Sequence, residues 1–432
     1  MLKKTSSANN DSANEFDSFK SDEESINLNE SNVLPTKEVP PTKEGDVDVE
    51  EPNYEINSWD DLNISPELLR GIFSADFEKP SPIQRKAIKP MLLGKDVIAQ
   101  AQSGTGKTAT FTIGALSHVD VTSDSVQVLV LSPTRELSTQ TGDVFIKIGS
   151  MMKGLKIQTL VGGTLVEDDT RSIKANVPHV ITGCPGRVYD IMRRNNIGKS
   201  IKVVILDEAD ELLSQGFKDQ VYNIFQLFKT DIQVALFSAT MPYGLNNITD
   251  KFMRNPVNIV VKAEQLTLEG ISQYFVAVED DQQKYGTLKD IYKYIAVSQC
   301  IIYCNSVKRV EDLYDAMIID KFAVCCIHSN MNKVDRDHAF SEFKCGKYRV
   351  LISSNVTARG IDIQQVSTVI NFDVPKCVHT YLHRIGRSGR WGRKGVGVNL
   401  ITRRDMSKIK EIESFYQSQI NEMPSNINDI LV

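Results

Sequence analysis

A glycine-rich segment, Ala101–Thr108, has the residue types and the setting of a phosphate-binding loop. It follows a short apolar run and precedes a helical stretch, which is the context that such a loop requires. Gly104 and Gly106 would let backbone N–H groups surround phosphate oxygens, and the helix that follows would add its dipole. Lys107 would reach the β- and γ-phosphates of a nucleotide, and the Thr108 hydroxyl would bind Mg²⁺. The candidate contacts of this loop are Ser103, Gly104, Thr105, Gly106, Lys107 and Thr108.

The strict form of this loop begins with Gly, where this chain has Ala101. A chance Gly-rich turn is the alternative, but strand, loop, Lys-Thr pair and helix in register favour the phosphate site.

Acidic residues stand directly after a second buried run, Lys202–Leu206. Asp207 is predicted to hold Mg²⁺, directly or through water, and Glu208 to orient or deprotonate an attacking water. The alternative is an acidic helix start, because carboxylates stabilise the N-terminal end of a helix. Together with the phosphate-binding loop, the pattern favours nucleotide hydrolysis.

Arginines separated by glycines lie far along the chain, in His383–Arg390. Arg387 and Arg390 are predicted to stabilise charge on a transferring phosphoryl group, as an arginine finger does. A basic surface loop, or simple binding to a phosphate backbone, is the alternative. Because this segment lies in the second half of the chain, closure of two domains would complete the site and couple hydrolysis to motion.

Short apolar runs alternate with helical stretches from about Ser58 onwards. Runs of four to six Val, Ile and Leu residues are typical of strands buried on both faces, and their alternation with helices predicts doubly wound parallel sheets. The first set is Asp96–Ala99, Val126–Leu131, Ile157–Val161, Val180–Thr182, Val203–Leu206 and Val234–Ser238. The second set is Gln273–Val278, Cys300–Cys304, Ala323–Ile327, Arg349–Ile352, Val366–Phe372 and Gly397–Ile401. We therefore predict an α/β protein with an acidic tail at 1–55, a first lobe at 56–262, a linker at 263–270 and a second lobe at 271–432.

Charge is distributed unevenly along the chain. The net charge is −5, but residues 1–55 hold five Lys against fourteen Asp and Glu, whereas the remainder carries a net charge of +4. The tail is too polar to form a core and is predicted to be disordered, while the mildly basic body leaves nucleic acid as a candidate partner. The sequence holds no apolar run of membrane-spanning length and no apolar leader at its start. Its seven cysteines lack the spacing of zinc ligands, which favours free thiols in a reducing compartment.

At this point the motifs resemble those of the DEAD-box ATP-dependent RNA helicases, since Asp207-Glu208-Ala209-Asp210 spells the family name. The resemblance runs from about Trp59 to Leu431 and is strongest to the translation initiation factor 4A group, including its nuclear relatives. It implies two RecA-like domains in tandem, with ATP and Mg²⁺ as cofactors. It also implies that RNA and activating proteins are partners, that a membrane is not a partner, and that the chain is monomeric.

The family pattern assigns further residues around the nucleotide. It implies that Phe77 and Gln84 recognise adenine, by stacking and by amide hydrogen bonds. It also implies that Gly360 and Asp362 contact the nucleotide, Asp362 through the ribose. Ser238 and Thr240 match the segment that links the ATP site to RNA binding, where their hydroxyls would bond to Asp210.

The family pattern also implies an RNA-binding face that holds phosphates and sugars and therefore reads little sequence. The residues that match it are Thr134, Arg135, Gly163, Gly186, Arg187, Arg336 and Ser354. Short segments such as Pro133–Leu137 are equally typical of a strand-to-helix cap, so each one alone is ambiguous.

Four departures from the family pattern concern RNA binding and interlobe coupling. Cys184 stands where Thr is usual, and Ser329-Asn330 replaces Gly-Asp. Lys333 aligns with a usual Gln, and Ser354-Asn355 replaces Thr-Asp, which removes a carboxylate between the RNA and ATP sites.

Three hypotheses follow from the sequence. The first is a helicase that unwinds short RNA duplexes or displaces proteins from RNA. The second is an ATP-locked RNA clamp that serves as an assembly platform, and the third is a DNA translocase. Within the first, weak motif similarities favour nuclear or nucleolar rRNA processing for the small ribosomal subunit, with cytoplasmic translation initiation as the alternative.

Overall fold

The computed structural model describes residues 54–101, 104–213, 216–229, 231–241, 249, 251–260, 271–295, 299–357, 366–388 and 395–424. The predicted linker and all of the predicted acidic tail except residues 54 and 55 lie outside these ranges. No helix among the described residues combines the length and the apolar character needed to cross a bilayer.

The first lobe is built on a seven-stranded parallel sheet. Its strands are β1 (Val97–Gln100), β2 (Val128–Leu131), β3 (Ile157–Leu160), β4 (Val180–Gly183), β5 (Val203–Asp207), β6 (Gln233–Ser238) and β7 (Val257–Val260). Its described helices are α1 (Pro66–Ser74), α2 (Pro82–Leu92), α3 (Lys107–Leu116), α4 (Arg135–Ile148), α5 (Val166–Ala175), α6 (Pro185–Asn195), α7 (Ala209–Leu212) and α8 (Lys218–Phe225). The strand order is β3-β4-β2-β5-β6-β1-β7.

The second lobe is built on another seven-stranded parallel sheet. Its strands are β8 (Ile271–Ala277), β9 (Gln299–Tyr303), β10 (Val324–Ile327), β11 (Val350–Ser353), β12 (Val366–Asn371), β13 (Gly395–Ile401) and β14 (Asn421–Glu422). Its described helices are α9 (Gln283–Ile295), α10 (Val307–Ile319), α11 (Lys333–Lys344), α12 (Val378–Ile385) and α13 (Met406–Tyr416). The order β10-β11-β9-β12-β13-β8-β14 repeats that of the first lobe strand for strand.

Both faces of each sheet are covered, as the continuous apolar runs predicted. In β2, Val128 and Val130 belong to one core cluster with residues of α1 to α4. Leu129 and Leu131 belong to the other cluster, with residues of α5, α6 and α8. Since all the strands are parallel, the polar residues that follow them gather at one edge of each sheet.

The predicted fold class is confirmed, and each of the twelve predicted strands overlaps an observed one. The sequence did not reveal β7 or β14. β7 is an edge strand in which only Ile259 is buried, and β14 has two exposed residues. Neither segment presents the buried apolar run by which the other strands are recognised.

Candidate functional site

The loop between β1 and α3 is held open by backbone conformation and by contacts to α2. Gly104 and Gly106 have φ values of +84° and +98°, which favour glycine. The Ser81 hydroxyl donates to the Thr105 carbonyl at 2.8 Å. A Cβ at position 106 would lie 2.7 Å from Nε2 of Gln84, so the loop has no room for a side chain there.

The two residues that the family pattern assigns to adenine lie beside this loop. The buried Gln84 amide accepts a hydrogen bond from the Ser81 N–H at 2.7 Å and donates to the Gly106 carbonyl at 3.5 Å. Phe77 is partly buried and packs against the core of the first lobe. Gln84 thus connects the start of α2 to the phosphate-binding loop. These contacts do not depend on a bound nucleotide.

Three charged residues meet at the carboxyl edge of the first sheet. Asp207 and Glu208 are 3% and 2% exposed, and Lys107 at the start of α3 is 6% exposed. Nζ of Lys107 lies 3.5 Å from Oε1 of Glu208, and the Glu208 N–H donates to Oδ1 of Asp207 at 3.0 Å. Burial, followed by the neighbouring charge of Glu208, raises the pKa of Asp207 to about 7. The site therefore concentrates negative charge that a bound cation would stabilise.

A second set of contacts connects the two lobes through Asp210. Its Oδ2 accepts a hydrogen bond from the Thr240 hydroxyl at 2.6 Å and lies 3.0 Å from Nε2 of His383 on α12. The Asp210 and Thr240 N–H groups both donate to the Ser238 hydroxyl, at 3.4 and 3.3 Å. Both side chains of the interlobe Asp210–His383 contact are buried.

The structure positions one of the two predicted catalytic arginines. Arg387 is 2% exposed, and its Nε donates to the His383 carbonyl at 3.1 Å. Its side chain is therefore held by the backbone of the residue that contacts the first lobe. Four predicted nucleotide-site residues lie outside the described ranges: Ser103, Gly360, Asp362 and Arg390.

A cavity of about 500 Å³ is lined by residues of both lobes, and it contains most of the predicted RNA contacts. Thr134, Arg135, Gly186 and Arg187 line it from the first lobe and Arg336 from the second. Ser354 is not among the lining residues and is buried. We refer to this cavity as the interlobe groove.

Contacts within the first lobe orient the groove residues. The Thr134 hydroxyl accepts from the Leu137 N–H at 3.3 Å and caps α4. Arg187 pairs with Asp169 and donates to the Thr164 hydroxyl at 2.8 Å. The groove therefore presents side chains that are already fixed by the protein.

Arg336 joins the lobes across the groove. Its Nη2 donates to Oε2 of Glu136 at 2.7 Å, and its Nε pairs with Oε1. Both side chains are buried. Nearby, a Cβ at Gly163 would lie 2.9 Å from Cβ of Lys333, so this close approach of the lobes requires glycine at position 163.

Sequence reasoning did not assign a role to Glu136 or His383. Each lies in a short motif in which the roles fall to neighbouring residues, Thr134 and Arg135 in one and Arg387 and Arg390 in the other. The one available signal was position, since His383 lies one helical turn before Arg387 and Glu136 lies beside Arg135.

Comparison with family models agrees with this arrangement. Residues 81–248 match the DEAD/DEAH box helicase model, and residues 283–392 match the helicase conserved C-terminal domain. Tandem parallel lobes with a phosphate-binding loop on one and an arginine-bearing helix on the other define an ATP-dependent helicase core.

Proteins of similar sequence show which type of helicase this chain resembles. The chain is 49% identical to a protein described as eukaryotic initiation factor 4A from Caenorhabditis elegans, over 88% of this chain and 95% of the relative. It is 48% identical to the ATP-dependent RNA helicase eIF4A of Schizosaccharomyces pombe, over 88% of this chain and 97% of the relative. The chain belongs to the DEAD-box ATP-dependent RNA helicases, of the initiation factor 4A type.

Solved structures of similar proteins share the two-lobed fold. S. cerevisiae Dbp5 bound to RNA and ADP BeF3 matches with a TM-score of 0.79 at 32% identity, over 86% of this chain and 97% of the other. Mss116p bound to ssRNA and AMP-PNP matches with a TM-score of 0.76 at 26% identity, over 84% and 78%.

We expect replacement of Arg336 by Glu to weaken ATP-dependent RNA binding about a hundredfold or more, because removing one partner of a buried ion pair costs about 3–5 kcal/mol. Titration of labelled single-stranded RNA in the presence of a non-hydrolysable ATP analogue would measure this. The double variant Glu136→Arg/Arg336→Glu should regain much of the affinity. Equal weakness of the single and double variants would contradict a role for the ion pair in closing the lobes.

We expect replacement of Cys184 by Thr to stabilise the first lobe. Cys184 precedes α6 without making a side-chain cap, and its thiol only approaches the Ser138 hydroxyl at 3.5 Å. Burial raises the pKa of this thiol, so it stays protonated at neutral pH. A threonine cap contributes about 1 kcal/mol, which is roughly 2–4 °C in Tm for a domain of this size. Thermal unfolding that shows an unchanged or lower Tm would contradict this.

Proposed function

We propose that this protein uses ATP to open short RNA duplexes during translation initiation in the cytoplasm. The observation that carries the activity is the interlobe groove, whose walls come from both lobes. The pathway is inferred from the initiation factors that the chain matches over nearly their whole length. The nuclear rRNA-processing role favoured by the sequence motifs has no comparable support among these relatives.

In the proposed nucleotide site, the first lobe binds the phosphates. The N–H groups of the loop around Gly104 and Gly106 would surround the phosphate oxygens, and Lys107 would move from Glu208 to the terminal phosphate. Glu208 would then be placed to accept a proton from the attacking water. The 3.5 Å contact between Lys107 and Glu208 thus holds both groups ready before ATP arrives.

The donor set fits Mg²⁺. Thr108 and Asp207 offer oxygen ligands, which this ion prefers, and Asp207 is buried directly beside a second carboxylate, Glu208. When bound with ATP, Mg²⁺ would supply the charge that neutralises the phosphates.

The second lobe would complete the nucleotide site and couple the state of the nucleotide to RNA binding. Arg387, together with Arg390, would approach the terminal phosphate as the lobes close. The contact formed by Asp210, Thr240 and His383 would couple closure of the lobes around the nucleotide to RNA binding in the groove. Hydrolysis removes the terminal phosphate that both lobes hold, so the lobes separate and RNA is released.

Two measurements test this proposal separately. The purified protein is expected to hydrolyse ATP in an RNA-stimulated manner and to unwind a short RNA duplex, and failure of both would overturn the activity. A tagged copy is expected in the cytoplasm with the small ribosomal subunit. Confinement to the nucleolus would overturn the pathway and leave the activity standing.

An ATP-locked RNA clamp is a second candidate, and the buried Glu136–Arg336 pair favours it because that pair stabilises the closed form. Single-turnover hydrolysis measured beside RNA release distinguishes the two. Release that lags far behind hydrolysis, with no unwinding, would favour the clamp.

A DNA translocase is the third candidate. Replacing RNA by DNA of the same sequence in the ATPase assay should abolish the stimulation if 2′-hydroxyls are recognised. Equal stimulation by DNA would favour the translocase.

A further inference from the structure

Two cations, Arg135 of the first lobe and Lys333 of the second, converge on Gly163. Nη1 of Arg135 lies 3.3 Å, and Cδ of Lys333 3.5 Å, from the point that a Cβ on this glycine would occupy, so the two atoms are no more than twice the longer distance apart. Both side chains are partly buried. Like charges that meet in this way repel each other unless an anion lies beside them.

The other charged residues that line the interlobe groove are already paired within the protein. They form three ion pairs, each neutral as a unit: Arg336 with Glu136, Arg187 with Asp169, and Asp190 with Arg194. Among the residues that the structure describes, no carboxylate oxygen lies within 4.0 Å of the charged nitrogens of Arg135 or Lys333. The surplus charge of the groove is therefore positive, and it comes from one residue of each lobe.

The place of Lys333 on α11 adds to this repulsion. Lys333 is the first residue of the helix, which Asn332 caps, and the start of a helix carries partial positive charge that favours anions. Asp335 and Asp337 of the same helix are exposed to solvent, and Asp335 accepts a hydrogen bond from Nδ2 of Asn332 at 2.6 Å. A lysine at this position is unfavourable in the protein alone and favourable beside a bound anion.

Both cations lie at the interlobe groove, where RNA is proposed to bind. Arg135 and Gly162 line the groove, and the backbone at Gly163 has a φ of +100°, which favours glycine. Lys333 lies over this glycine from the second lobe. An anion held here would meet one cation from each lobe, and a phosphate of the RNA backbone is an anion that lysine and arginine side chains commonly bind.

Two departures from the family pattern make this part of the second lobe more positive. Lys333 stands where Gln is usual, and Asn330 stands where Asp is usual. Asn330 follows Ser329, which lines the interlobe groove. One position gains a positive charge and the other loses a negative one, so both changes favour a bound anion.

We propose that Lys333 is an affinity-determining residue that, together with Arg135, holds one RNA phosphate between the lobes and opposes their closure when RNA is absent. The phosphate removes the repulsion between the two cations. Closure of the lobes, and with it ATP hydrolysis, therefore depends more strongly on RNA than it would with an uncharged residue at position 333. This inference rests on the proposed assignment of the interlobe groove to RNA.

The test is Lys333→Gln, which installs the uncharged residue of the family pattern. Affinity for single-stranded RNA, measured with a non-hydrolysable ATP analogue at low salt, should fall roughly three- to tenfold, the effect of one unit charge at a partly screened contact. The slope of log affinity against log salt should become shallower, by up to about 0.7. The ATPase rate without RNA should rise by a similar factor of roughly three to ten, because the lobes close against less repulsion.

Two control variants separate the charge of Lys333 from its shape and from the total charge of the chain. Lys333→Arg keeps the charge and should retain the RNA affinity, the salt slope and the low RNA-free ATPase rate of wild type. Lys344→Gln removes the same charge at the exposed last residue of α11. It should leave all three quantities unchanged, because position 344 lies at the opposite end of the helix from Gly163.

The possible outcomes distinguish this inference from the proposed function. Unchanged RNA affinity and salt slope in Lys333→Gln, with a clear loss of affinity in the groove variant Arg135→Ala, would overturn this inference alone. Unchanged RNA affinity in both variants would overturn the assignment of the groove to RNA and the inference with it. A loss of RNA affinity in Lys333→Gln with no rise in the RNA-free ATPase rate would overturn the proposed opposition to closure.

Discussion

Replacing Arg387 by Ala is expected to lower kcat for RNA-stimulated ATP hydrolysis by about 10³–10⁵, the range typical of an arginine that stabilises the transferring phosphoryl group. The reason is the position of Arg387 in the second lobe. Arg387 is buried, and it is tied through the His383 carbonyl to the residue that contacts Asp210 in the first lobe. The KM for ATP should change much less, since the phosphate-binding loop belongs to the other lobe. Steady-state ATPase kinetics at saturating RNA measure both constants.

Arg403→Ala is the matched control for this variant, because Arg403 is an exposed arginine of the same lobe with no proposed contact to the nucleotide. It should retain wild-type kcat. Arg387→Lys keeps the charge but loses the planar fork, and we expect it to recover only part of the rate. An increased KM for ATP with an unchanged kcat in Arg387→Ala would contradict a role of Arg387 in the transition state.

Replacing Glu208 by Gln is expected to lower kcat by about 10²–10⁴, the usual contribution of a general base. Gln has nearly the same shape, so ATP should still bind. Burial and, after it, the charge of Glu208 raise the pKa of Asp207, so removing the Glu208 carboxylate should remove the second of these two causes. The variant should therefore hold ATP and RNA for longer than wild type. Rapid-quench hydrolysis and RNA dissociation measured on the same sample check this expectation.

Glu211→Gln provides the comparison, since Glu211 lies on α7, which begins directly after Glu208, but is only partly buried. It should hydrolyse ATP at close to the wild-type rate. If Glu208→Gln also turns over at that rate, Glu208 is not the base, and Lys107 is held by a carboxylate of purely structural importance.

Local sequence patterns were sufficient for twelve of the fourteen described strands and for the position of the polar residues that follow them. Each apolar run marks a strand because burial on both faces leaves no polar alternation, and the residues that follow it must reach the carboxyl edge of the sheet. This is why Lys107 and Asp207 could be assigned together although a hundred positions separate them. The missed strand β7 lacks that run, since only one of its residues is buried.

Contacts between the lobes could not be predicted in the same way. Glu136 and Arg336 are separated by 200 positions, and Asp210 and His383 by 173. No periodicity connects such pairs, because they depend on how two independently formed sheets face each other. The resemblance to a known family supplied Arg336 as an RNA contact, whereas the structure pairs it with Glu136.

The hydrogen bonds of Arg384 illustrate the same limit. From the sequence, Asn355 is only a departure from a motif, with the loss of one carboxylate as its evident consequence. The structure adds that the fully buried guanidinium of Arg384 donates two hydrogen bonds to Asn355. The physical effect of the departure follows only from those contacts.

In the proposed mechanism, one nucleotide is held from both lobes while RNA occupies the groove between them. A crystal structure of the protein with single-stranded RNA and a non-hydrolysable ATP analogue tests it most directly. The account predicts Arg387 within about 3 Å of the terminal phosphate, which Lys107 holds from the other side, with RNA phosphates beside Arg135 and Arg187. An Arg387 side chain directed into solvent, or RNA bound away from the groove, would contradict it.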